Sequence, residues 1–129
     1  MKAILAKNNK GYIGLKGELP WKCSKDLEHF KKKTMGSKLL VGYRTAQTLP
    51  KLRGREIIVY AKFSSTEDYT SADWCIGGKN TYEKFCHLFT ELHVSIINDE
   101  TVGDTTVPNL IGLNPDCKIF EYYFEKDDL

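Results

Sequence analysis

Residues 74–89 read WCIGGKNTYEKFCHLF, and a change of rhythm inside them decides the fold. Trp74 to Ile76 is a short apolar run that ends on Gly77-Gly78; beyond it, Tyr82, Phe85, Cys86 and Phe89 fall on one side of a 3.6-residue helix. The segment therefore predicts a strand, a two-glycine turn and a helix. Backbone N–H groups at such a turn, with the positive end of the helix, can receive a diphosphate. A Gly-Gly turn serves plain chain geometry at least as often, and the spacing is not GxGxxG, so the turn alone does not settle a ligand.

A strand that runs into a glycine or a turn recurs earlier in the chain. KLLVGYRTAQTL, residues 38–49, predicts a buried strand at Leu39–Val41 that passes through Gly42 into a short helix broken at Pro50, with Arg44 and Thr45 offering a cation and a hydroxyl at the helix start. KAILA, residues 2–6, predicts a short buried strand because the turn formers Asn8, Asn9, Lys10 and Gly11 follow at once. Further strands are expected at Ile57–Tyr60, in ELHVSIIND (91–99) and in CKIFEYYFE (117–125), where Phe120, Tyr122 and Phe124 alternate with Ile119, Glu121 and Tyr123. FSSTEDYTSAD (63–73) is polar and reads as a surface loop, and ETVGDTTVP (100–108) as a turn-rich connector. Strands alternating with helices predict an α/β fold, a mostly parallel central sheet flanked by helices, with ligands at the carboxyl ends of the strands.

One carboxylate stands out. LPWKCSKDLEHFKKKT, residues 19–34, predicts an amphipathic helix that begins after Trp21, since Pro20 disfavours helix at Leu19, and stops at Gly36. Helical spacing sets Cys23, Leu27, Phe30 and Thr34 on one face, with Glu28, Lys31 and Lys32 turned away. Asp26 lands beside Phe30 at the edge of that stripe, where partial loss of water raises a carboxyl pKa unless a donor or cation compensates. The plain alternative is a first-turn acid favoured by the helix dipole. Before the helix, Gly11, Gly14 and Gly17 make a flexible loop.

With 129 residues, 41% of them hydrophobic, the chain suits one domain, residues 1–129, around a single core. A net charge of +2 is too weak for the cationic field of a nucleic-acid binder. No segment is long enough to span a bilayer and the N-terminus lacks a signal-peptide pattern, so a cytoplasmic location is expected. Cys23, Cys75, Cys86 and Cys117 are scattered, with no CxxC pair and no histidine at ligand spacing; reduced thiols and no metal site are expected. Arg53 and Arg55, flanking Gly54, could fork onto a carboxylate or stand solvated in a turn.

Taken in order, IGLKGELPWKCSKDLEHFKKKT (13–34), VGYRT (41–45), LRGR (52–55), IGGKNTYEKF (76–85) and VGDTTVP (102–108) resemble the signature segments of the dihydrofolate reductase family, over residues 3 to about 108. The resemblance implies a dihydrofolate-reductase-like domain that reduces 7,8-dihydrofolate to 5,6,7,8-tetrahydrofolate by hydride transfer from NADPH. It implies that Asp26 holds the pterin's 2-amino group and adjacent ring nitrogen, with Leu19, Trp21 and Ser95 in the catalytic set and a water under the loop near Leu19 bringing a proton to N5. Ile4, Leu5, Leu27, Phe30, Leu49, Leu52 and Ile76 are implied to wall the substrate, Arg55 to clamp its glutamate α-carboxylate, and Ser95 to support Asp26. Cofactor contacts are implied at Ala6, at Ile13, Gly14, Gly17, Glu18 and Leu19 of the loop, and at Gly42, Arg44, Thr45 and Lys62. Others are implied at Ile76, Gly77, Gly78, Lys79, Asn80, Thr81 and Tyr82. The family also implies a cis Gly77-Gly78 peptide, and an Asp104 that braces a loop closing over the nicotinamide.

The chain departs from the family pattern at two places. Where relatives hold an additional strand and helix around the adenosine, only KFSSTEDYTSADWCI (62–76) stands, and Tyr43 replaces the first basic residue usual after the glycine. A reduced adenosine-binding region, weaker NADPH binding and a smaller preference over NADH are expected. A single aromatic strand replaces the usual final hairpin, and the open sheet edge invites self-pairing, so a monomer or a weak homodimer through residues 118–124 is expected. Two other readings stand beside the reductase: a related pterin or pyrimidine reductase, and a folate- or nucleotide-binding accessory protein with little or no turnover.

Overall fold

Apolar residues on both faces of one strand decide where the sheet has its centre: Ala3 and Leu5 enter one core, Ile4 the other. A computed structural model of the chain describes residues 1–61 and 68–128. Its elements in order are β1 (Lys2–Asn8), β2 (Tyr12–Gly14), α1 (Ser24–Thr34), β3 (Lys38–Gly42), α2 (Tyr43–Thr48), β4 (Glu56–Tyr60), β5 (Trp74–Cys75), α3 (Lys79–Phe85), β6 (Glu91–Asn98), β7 (Thr105–Thr106) and β8 (Lys118–Glu125). Among the described residues the main sheet has six strands in the order β4-β3-β5-β1-β6-β8, each parallel to its neighbours. Parallel strands need crossovers, and the helices that supply them cover the two faces. This is the α/β architecture that the sequence predicts.

On one face, Ala3, Leu5, Leu40, Leu92 and Val94 pack against Tyr82, Phe85, Cys86 and Phe89, the four residues that the spacing in 74–89 set on one side of a helix. On the other, Ile4, Leu39 and Trp74 pack under Phe30 of α1 together with Leu52 and Ile76. Fully burying side chains of this size contributes about 1.5–3 kcal/mol each. The parallel register pairs Ile4 with His93, Leu5 with Val94 and Ala6 with Ser95, so Ala6 and Ser95 share the α1 face and Leu5 does not. Leu5 therefore cannot wall a ligand on the α1 side with its side chain, contrary to expectation, because strand alternation turns it into the α3-side core.

Two other expectations change. Leu27 is 57% exposed rather than part of the buried stripe; the inward positions of α1 are Asp26 and Thr34, and Leu27 stands one step of about 100° away from the first. The connector 100–108 contains β7, which pairs antiparallel with β2. On β8, Tyr122 and Phe124 turn toward α1, their rings 4.3 and 5.6 Å from His29, while Ile119 and Tyr123 on the opposite face are exposed. Lys62 and the residues to Glu67 lie outside the described residues, and with them the first part of the expected surface loop; of the rest, Tyr69–Ser71 forms a 3-10 turn. Among the described residues no helix is long and apolar enough to cross a membrane.

Candidate active site

Asp26, third residue of α1, is only 6% exposed, although carboxylates rarely sit so deep without partners. It lies on the inward side of α1, close enough to Ser95 of β6 for that hydroxyl to act on its ionisation. Burial pushes the Asp26 carboxyl above the usual range, and both the Ser95 hydroxyl and the nearby His29 imidazole pull it back without cancelling the rise. The first-turn-acid reading is thereby set aside, since a carboxyl serving only the helix dipole would stay in water. Trp21 is buried in a cluster with Cys23 and Ile97, and its indole N–H has no partner among the described residues.

The glycine loop is braced. Leu15 and Glu18 exchange backbone hydrogen bonds of 2.8 and 3.0 Å around a turn in which Lys16 and Gly17 both adopt positive φ. The Lys16 N–H donates to the Asp104 carboxylate at 2.9 Å and the Asp104 N–H to the Gly14 carbonyl at 2.9 Å, the contact that the resemblance implies. The Lys16 N–H, with the Thr105 hydroxyl, holds the exposed Asp104 carboxyl below its ordinary range. A side chain at Gly17 would touch Thr48, so the loop tip reaches α2. Glu18 and Leu19 follow it on the surface, and Ile13 packs against the α3-side core.

The two glycine junctions meet and interlock. The Gly42 N–H donates to the Gly77 carbonyl at 2.7 Å, and the Gly77-Gly78 peptide is cis. A methyl group on Gly42 would run into Thr81, and one on Gly78 would lie 2.7 Å from the Thr45 hydroxyl. The starts of α2 and α3 thus form one ledge, with Arg44 and Asn80 exposed on it and the Lys79 ammonium donating to the Thr106 hydroxyl at 2.7 Å. Thr81 and Tyr82 are buried under the ledge; the Tyr82 hydroxyl donates to the Ile4 carbonyl at 2.6 Å, and burial pushes it well above the ordinary phenol range.

Arg55 lies at the far end of α1. Its guanidinium donates to the Thr34 hydroxyl at 3.3 Å and to the Arg53 carbonyl at 3.0 Å and sits over the Phe30 ring, while Arg53 remains on the surface. Leu49 lies half-buried just after α2. The fold brings Ile4, Ala6, Phe30, Leu52, Ile76 and Ser95 to the α1 side, which also holds Asp26. On the ledge side β4 is the edge strand among the described residues, and the Tyr60 ring makes contacts of 5.1 Å with Tyr69 and with Phe85.

Sequence reasoning missed His29. It stands one turn beyond Asp26 on the same helix face, between the aromatic rings of β8, and its Nε2 has no hydrogen-bond partner among the described residues. Burial lowers its pKa, Asp26 raises it, and Lys33 and His93 lower it further. The three-residue spacing from Asp26 is a signal that was present in the sequence. Among the described residues there is no group of His, Cys, Asp and Glu that could hold a metal; Cys23, Cys75 and Cys86 are buried free thiols, Cys75 pushed up to about 12 by burial, and Cys117 is a half-buried one.

The family model for dihydrofolate reductase matches residues 1–114. Over 128 residues the chain is 31% identical to the type 9 dihydrofolate reductase of Escherichia coli, covering 79% of this chain and 72% of the relative. It is 32% identical over 126 residues to the dihydrofolate reductase of Mycoplasma genitalium, covering 79% of each. A solved structure of dihydrofolate reductase from Enterococcus faecalis, complexed with NADP(H) and RAB-propyl, superposes with a TM-score of 0.73 at 25% identity, covering 85% of this chain and 77% of that one.

Proposed function

The chain belongs to the dihydrofolate reductase family, and from that premise we propose that it reduces 7,8-dihydrofolate to 5,6,7,8-tetrahydrofolate with NADPH, in support of one-carbon metabolism. The observation that carries the reading is Asp26: a buried carboxyl, near Ser95 and His29, on the side of the sheet where Ile4, Leu39, Trp74 and Phe30 pack. Such a group is suited to accept hydrogen bonds from the pterin's 2-amino group and adjacent ring nitrogen. Its negative charge favours protonation at N5, and a water under Leu19 delivers that proton. Ile4, Phe30, Leu49, Leu52 and Ile76 wall the substrate, with Leu27 contributing at an exposed margin, and Arg55, oriented by Thr34 and Phe30, meets the glutamate carboxylate.

NADPH supplies the hydride when bound. The interlocked ledge fits such an anionic, extended molecule: two helix starts converge at Gly42 and Gly78, and Arg44 and Lys79 bring cations. Ala6 and Ile76 border the nicotinamide end, and the loop through Gly17 and Leu19, braced by Asp104, closes over it and excludes water. We take the working unit to be one cytoplasmic domain, residues 1–129, monomeric or weakly dimeric through the β8 edge; light scattering over a concentration series decides between the two.

The test is loss of NADPH absorbance on addition of dihydrofolate, compared with Asp26→Asn. Turnover by the parent and its loss in the variant support the reading; full activity in the variant removes the role given to Asp26. One observation favours the accessory-protein reading, the position of β4 as edge strand where relatives enclose adenosine. Ligand binding without turnover would establish it.

A further inference from the structure

The helix that carries Asp26 does not cap itself. Its N-cap residue is Cys23, in extended backbone, whose thiol donates to the Glu125 carbonyl at 3.3 Å and makes no capping bond. Ser, Thr, Asp or Asn would normally stand there, because the first N–H groups of a helix have no partner within it. The missing acceptor comes from the other end of the chain. One Asp127 carboxylate oxygen accepts the Ser24 backbone N–H at 2.9 Å and the second accepts the Ser24 hydroxyl at 2.7 Å.

We propose that Glu125–Asp127 form a clasp that fixes the start of α1, and that Asp127 is a positioning residue for Asp26. The Asp127 N–H donates to the Lys22 carbonyl at 2.7 Å, so residues 22–24 are held along their length by the tail. The tail is itself anchored: the Lys126 ammonium lies 3.1 Å from the buried Asp99 carboxylate, and Phe124 packs on the cluster of Trp21, Cys23 and Ile97. Asp26 follows Ser24 by two residues, in the first turn, where its own carboxylate could fold back onto free helix amides. With Asp127 serving the helix start, Asp26 is left free to turn inward to Ser95.

The inference rests on the reading of Asp26 as the substrate carboxylate, and the test separates the two. Asp127→Ala, Asp127→Asn and the double variant Asp127→Ala/Cys23→Ser are compared with the parent in the full-length chain. Amide hydrogen exchange at Ser24–Leu27 is measured together with KM for dihydrofolate and for NADPH. Asp127→Ala is expected to speed that exchange and raise KM for dihydrofolate about fivefold, the size of a lost helix cap, with KM for NADPH within about twofold. Asparagine, itself a capping residue, keeps most of the parent behaviour, and serine at 23 restores the cap from within the helix and with it KM. An unchanged dihydrofolate KM, equal shifts in both KM values, or no rescue by serine overturns the clasp. Should the parent show no turnover, the reductase reading falls; Kd for dihydrofolate from tryptophan fluorescence then decides the clasp by the same fivefold criterion, and absence of binding overturns both.

Discussion

The α1 side and the glycine ledge are made of different materials. On the α1 side, side chains do the work: Asp26, Ser95, Phe30 and Arg55 converge from a helix, a strand and a turn, and the buried carboxyl shifts as burial demands. On the ledge the contacts are backbone and glycine, with two junctions so close that neither Gly42 nor Gly78 has room for a methyl group. The difference teaches where each half is vulnerable. One fails by losing a functional group, the other by gaining an atom.

The strongest test of that contrast is Asp26→Asn, expected to lower kcat/KM for dihydrofolate about a hundredfold or more. The same variant should gain stability at neutral pH. The folded protein holds the Asp26 proton to a higher pH than the unfolded chain, so stability falls as pH rises from the ordinary carboxylate value through the raised one, and stays lower above it. Thermal melts across pH should therefore show asparagine ahead of the parent above that window and level with it below. A parent that melts higher at neutral pH would mean that Asp26 is not strained by burial.

Next in size is Gly78→Ala, whose new methyl meets the Thr45 hydroxyl; a cost of about 1–3 kcal/mol in stability is expected, together with a larger rise in KM for NADPH than for dihydrofolate. Adding Thr45→Ala should recover the melting temperature, and failure to do so would place the strain elsewhere. A smaller effect is expected in cofactor choice. With β4 at the sheet edge and Tyr43 exposed at the start of α2, kinetics with both cofactors should show a lower NADPH-to-NADH ratio than relatives that enclose the adenosine; strong NADPH selectivity would refute it. Smallest is His29→Gln, which removes a group whose positive form favours the Asp26 carboxylate, so the Asp26 pKa should move further up. Carbon NMR titration of the carboxyl reads the direction, and a downward move would show that His29 acts by packing alone.

Much of this is legible in the sequence. The strand-glycine-helix rhythm at 38–49 and 74–89 carries its own information, because periods of two and 3.6 residues depend only on neighbours a few positions apart. The Asp104 brace is implied only by the resemblance, whereas at Arg53 and Arg55 the residues themselves leave a carboxylate fork and a solvated turn both open, and the resemblance selects Arg55 as the clamp. Leu27 shows the limit: a stripe of apolar residues says that a helix is amphipathic, but the direction that faces the sheet is settled by the partner surface, and here Asp26 lies nearer to it.

By itself the sequence determined the α/β alternation, the two glycine junctions and the anomalous carboxylate, all local patterns of residue type. Only the tertiary structure decided that Asp26 is buried against Ser95, that Leu5 belongs to the opposite core, that His29 shares the carboxyl's surroundings, and that Asp127 caps a helix beginning at Ser24. The reason is physical. Burial and long-range hydrogen bonds are properties of pairs of surfaces, and residues roughly a hundred positions apart leave no mark on each other until the chain has brought them together.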